Sequence, residues 1–144
     1  MATPAKAKLK STSPGDSLEN VYDQLVALMK RHAPPFRTDV PCVAGGKKSF
    51  QLTIPKPVVV PGAYGGKPVD VQLAAAIVQK GYVGLYLMCI YMNEKAKKKL
   101  SPALLKLLKG KSCFHVKKLD DALIKDIQNA LAVGAEVYKE RGWV

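Results

Sequence analysis

The chain has 144 residues, 48% of them hydrophobic, enough for one domain whose core needs no disulfide or metal staple. Lys and Arg number 23 against 11 Asp and Glu, a net charge of +12, which favours anionic partners or plain solubility and sets the chain as a whole against cations. The cysteines, Cys42, Cys89 and Cys113, are scattered with no CxxC pair, which excludes a zinc site built on paired thiols and suits a reducing cytoplasm.

Residues 1 to 15, MATPAKAKLKSTSPG, are polar and lysine-bearing and predict a disordered basic tail. Residues 16–144 read as one domain. Asp16 or Ser17 caps a helix, and Asp16 with Glu19 has the shape of a capping box. Leu18, Val21, Tyr22, Leu25, Leu28 and Met29 then recur at helical spacing until Ala33-Pro34-Pro35 ends the helix. Prolines and glycine pairs punctuate residues 34 to 70. Phe50 to Ile54 and Pro57 to Val60 read as short strands, and the flanking prolines suit an edge position.

Residues 71 to 92, VQLAAAIVQKGYVGLYLMCIYM, are long enough to cross a membrane. Lys80-Gly81 instead divides them into two strand-like runs, which predicts a hairpin over about 71–91 and no membrane span. With Gln79 opposite Tyr82, one face carries Leu73, Ala75, Ile77, Gly84, Tyr86 and Met88. The other carries Ala74, Ala76, Val78, Val83, Leu85, Leu87 and Cys89. Both faces are apolar, so both are expected to be covered. Gly84 and Ala75 leave gaps on the first face. Either a helix packs closely there, or Tyr82, Gly84, Tyr86 and Met88 line a mostly apolar pocket whose tyrosines orient a guest.

Ser101-Pro102 opens a short helix over ALLKLLK that Gly110 stops, and CFHVK reads as a strand. Asp120 or Asp121 caps a long C-terminal helix whose stripe is Leu123, Ile127, Ala130, Leu131, Gly134 and Tyr138. Gly142 is its natural C-cap, with Trp143 folding back onto the last turn. The pattern is that of an α+β domain: a mainly antiparallel sheet with a central hairpin, packed by N-terminal and C-terminal helices.

Gly110-Lys111-Ser112 has the ending of a phosphate-binding loop, G-x-x-x-x-G-K-[ST]. The required first glycine falls at Leu105, a helix precedes, and a strand follows, so the motif fails in sequence and in context. Between Lys95 and Lys118 lie nine lysines and no acid. They form either a solvated face or an anion-binding surface, for which Lys97, Lys98, Lys99, Lys111, Lys117 and Lys118 are the candidates. No arginine interrupts the run, which argues against base-specific readout.

Asp16, Glu19 and Asp23 share one helical face, as oxygen ligands for a hard cation would, or as acids complementing a helix dipole. Cys113 and His115, two apart in a strand, share a face. They form a thiol–imidazole pair or belong to the core. No catalytic constellation emerges, so the expected class is a non-enzymatic binding or accessory domain.

Gly66-Lys67-Pro68, the run from Lys80 to Tyr86 (KGYVGLY), and Gly110 to Lys118 (GKSCFHVKK) occur in that order. This order resembles the YdhG-like family of bacterial domains of unknown function, over roughly residues 18 to 143. The resemblance implies a compact α+β domain and no settled activity. A frataxin-like iron-chaperone role has been attributed to a relative, and its acidic surface would fall here to Asp16, Glu19 and Asp23. The expected function is therefore binding of a small anionic or partly apolar ligand. The alternatives are an iron chaperone, with iron as the one conceivable cofactor, and a non-specific polyanion or nucleic-acid binder through Lys95–Lys118.

Overall fold

The computed structural model describes residues 17–42, 46–91, 93–110 and 112–144. The tail, Asp16 and Lys111 lie outside them. Helix α1 spans Leu18–Lys30 and is capped by Ser17, whose Oγ accepts from the Asn20 amide at 3.1 Å. Asp16, the first member of the expected capping box, lies outside the described residues, and Glu19 turns its carboxylate to Lys48 Nζ at 3.0 Å. Five antiparallel strands follow: β1 (Ser49–Thr53), β4 (Gln72–Val78), β5 (Val83–Leu87), β6 (Leu108–Lys109) and β7 (Cys113–Val116). Their order in the sheet is β1-β4-β5-β7-β6, so β1 is an edge strand as its prolines suggest. Strands β2 (Val58–Val59) and β3 (Pro68–Val69) form a separate small pair.

The hairpin has the expected register. Val78 lies opposite Val83 and Ala75 opposite Tyr86, with the Gln79 amide donating to the Tyr82 carbonyl at 2.9 Å. Gly81 takes φ +89°, a conformation that favours glycine. The second strand ends sooner than expected. After Leu87 the chain coils into α2 (Met88–Tyr91), then α3 (Glu94–Lys98), which is capped by Asn93, and α4 (Pro102–Leu105), which is capped by Ser101.

Three expectations are corrected. The helix expected to run to Gly110 stops at Leu105. Leu108 and Lys109 instead pair with Phe114 and Cys113, and Gly110, at φ +76°, begins the turn. Sheet hydrogen bonds here outweigh the helical spacing of the leucines. No helix opens after Ser112, so the context of a phosphate-binding loop is absent. Second, the register slips by one between Leu52–Ala74 and Thr53–Gln72. This bulge turns Gln72 to Gln51, Nε2 to Oε1 2.7 Å, and moves Leu73 off the Ala75–Ile77 face to lie under Gly134.

The third correction concerns coverage. Helices α1 and α5 (Asp121–Glu140) pack on one face of the sheet, where Leu52, Ala76, Leu85, Leu87, Phe114 and Val116 are fully buried. The opposite face bears half-exposed Ile77, Tyr82, Tyr86, Cys113 and His115, which no helix among the described residues hides. Ala75 and Gly84 are nonetheless buried there. The Tyr86 ring lies across Gly84: a Cβ at Gly84 would stand 2.9 Å from its Cε1. A neighbouring side chain, and neither a helix nor a guest, fills the gap.

Asp120 caps α5, its Oδ1 accepting from the Leu123 amide at 2.8 Å. The helix ends as expected: Gly142 has φ +77°, its amide donates to Lys139, and the Trp143 amide donates to Tyr138, both at 3.0 Å. The Trp143 ring meets Tyr138 edge-on at 5.1 Å. Among the described residues no helix is long and apolar enough to cross a membrane.

Candidate functional site

The edge hairpin β6–β7 gathers the lysines. Strand alternation puts Cys113, His115 and Lys117 on the uncovered side of β7, and pairing puts Lys109 beside Cys113. The His115 amide donates to the Leu107 carbonyl at 3.0 Å, which fixes the loop leaving α4 against the strand. The result is a cavity of about 430 Å³. Lys106, Lys109, Lys117 and Lys118 supply its charge, while Leu107, Leu123 and His115 supply its apolar and aromatic wall. Its single acid, Asp120, already spends one carboxylate oxygen on the α5 cap.

His115 continues into a second surface. Its ring stacks on Tyr82 with centroids 3.8 Å apart and planes 11° from parallel. Tyr86 stands further along the same strand face, its hydroxyl oxygen accepting from Gln79 Nε2 at 3.3 Å. Burial raises the Tyr86 hydroxyl and the Cys113 thiol above their ordinary values. Neither adds negative charge at neutral pH. The Gln79 side chain is held in turn by Lys47 Nζ at 2.6 Å.

The structure separates several residues that the sequence groups. Lys117 and Lys118 enter the cavity, but Lys97 and Lys98 lie on α3 and Lys99 is its C-cap. Tyr82, Gly84 and Tyr86 share the uncovered face, whereas Met88 begins α2 and lines a different hollow with Gln51, Tyr64 and Asp70. Met88 therefore does not floor a pocket with Tyr82. Cys113 and His115 share a face, yet each has its own partner: His115 stacks on Tyr82, while Cys113 sits opposite Tyr86.

Of the acids proposed for a metal, Glu19 and Asp23 flank Lys48 Nζ at 3.0 and 3.9 Å. An ammonium group already stands between these carboxylates. Among the described residues no group of three His, Cys, Asp or Glu side chains is placed to hold a metal ion. Burial of Cys89 beneath α5 pushes its thiol up to about 11, which keeps it protonated and inert.

Sequence reasoning does not single out Lys106, Lys109 and His115 for the anion site. The available signal is the alternation Cys113–His115–Lys117, which marks one strand face once the strand is recognised. No protein-family model matches the chain, and no curated protein or solved structure does.

Proposed function

We propose that this protein is a non-enzymatic binding domain for a small anionic, partly apolar ligand, held in the cavity between the β6–β7 hairpin and the start of α5. The observation that carries this reading is the convergence of four lysines on one cavity that also has leucine and imidazole walls. Ammonium groups supply charge-assisted hydrogen bonds to a phosphate or carboxylate, and the leucines accept the apolar body of the ligand. The resemblance to YdhG-like domains, which implies no settled activity, is compatible with such a role.

Phenyl phosphate is a suitable probe because it joins one anion to one ring. Calorimetric titration should show it binding more tightly than inorganic phosphate. Lys109→Glu and Lys117→Glu should each weaken it by roughly tenfold or more, the worth of a charged hydrogen bond. Lys97→Glu, on α3, should change the affinity little beyond general screening. Equal loss in all three variants would show that net charge, and not this cavity, attracts the anion.

A further inference from the structure

The five strands of the sheet place their uncovered side chains in rows. One row runs from Lys47 and Gln79 to Tyr82, and another from Gln51 through Ala75, Tyr86 and Cys113 to Lys109. None of the side chains in these rows is an acid. Tyr82 and His115 stack ring on ring at the turn end of the hairpin, and both are half-exposed on this face. The Tyr86 ring lies back across Gly84, towards Tyr82, and its hydroxyl oxygen accepts from Gln79, the residue opposite Tyr82. Basic side chains border the rings on both sides: Lys47 beyond Gln79, and the lysines of the cavity beyond His115.

We infer that this face binds single-stranded nucleic acid, with bases stacked on Tyr82–His115 and Tyr86 and the adjoining phosphates drawn into the lysine-lined cavity. The inference rests on the anion-cavity reading for its phosphate contacts and goes beyond it in naming the ligand. Exposed rings on an open sheet offer stacking that every base can use, and flanking ammonium groups track a backbone. An intact duplex keeps its bases stacked on one another, so it meets only the lysines. An acidic protein would likewise find the charges but would have no need of a ring platform. The absence of arginine from residues 95 to 118 fits binding that is indifferent to sequence.

The test is fluorescence anisotropy with labelled oligothymidylate and oligouridylate twelve-mers, alongside a duplex of the same length. A single strand of either sugar should bind at least tenfold more tightly than the duplex. Affinity should fall with salt at a log–log slope of about −3, as expected if Lys106, Lys109, Lys117 and Lys118 each neutralise one phosphate. Tyr82→Leu should weaken single-strand binding roughly tenfold, the stacking of one base, and leave duplex binding unchanged. Photochemical cross-linking of the wild-type protein needs no variant, and it should attach the oligonucleotide to peptides containing Tyr82, Tyr86 or His115. Equal affinity for single strand and duplex, or cross-links confined to α1 and α3, would overturn the inference. If phenyl phosphate still binds in that event, the anion-cavity reading survives alone; if it does not bind either, both fall.

Discussion

Tyr138 shows what one residue does for this fold. Its ring is fully buried between Phe36 and Trp143, and its hydroxyl donates to the Gln72 carbonyl at 2.8 Å. Gln72 sits at the bulge, where the β1–β4 register slips. The bond therefore ties the last turns of α5 to the irregular start of the central hairpin. Burial drives the phenol far above its ordinary value, so it remains a donor at neutral pH. Tyr138→Phe keeps the ring and leaves that carbonyl without its donor. Urea unfolding should show a loss of about 1–2 kcal/mol. No loss would mean that the carbonyl is satisfied in some other way and that the tie is not structural.

At the scale of elements, α5 lies close against its neighbours because Gly134 has no side chain. A Cβ there would stand 2.6 Å from Cys89 Sγ and 3.0 Å from Leu73 Cδ1. Alanine would improve helix propensity by about 1 kcal/mol but force the helix off α2 and β4, at about 1–3 kcal/mol. Gly134→Ala should therefore lower the midpoint of thermal unfolding, and a raised midpoint would show that α5 has room to retreat. The stripe containing Gly134 is readable from sequence because helical spacing alone defines it, and the hairpin register because only Gln79 opposite Tyr82 leaves a two-residue Lys80-Gly81 turn. The bulge is not readable: a period of two cannot register one extra residue, so alternation puts Leu73 on the wrong face. Nor is the strand at Leu108–Lys109, because its pairing with β7 is a tertiary contact that the helical spacing of its leucines conceals.

At the scale of the whole molecule, the described residues form a five-stranded sheet that has both long helices on one side and leaves its other side open. Apolar composition predicts that both faces are covered, but the Tyr86 ring shelters Gly84 on the open side. Positive charge is distributed over several sites. Lys95 to Lys98 lie on α3, while Arg31 and Lys139 border a hollow between the C-terminal ends of α1 and α5. Charge alone therefore does not choose the cavity beside β7; its combination of four lysines with leucine and imidazole walls does. The candidate site is only partly legible for this reason. Its lysines stand in the sequence, but what groups four of them is the pairing of β6 with β7. The most direct measurement of the central claim is amide chemical-shift mapping of the isotopically labelled protein titrated with phenyl phosphate. The shifts should centre on Leu107, Lys109, His115, Lys117 and Leu123 and extend to Tyr82 through the ring stack. Shifts centred on Lys97 and Lys98, or on Arg31 and Lys139, or spread evenly over every lysine, would contradict the account.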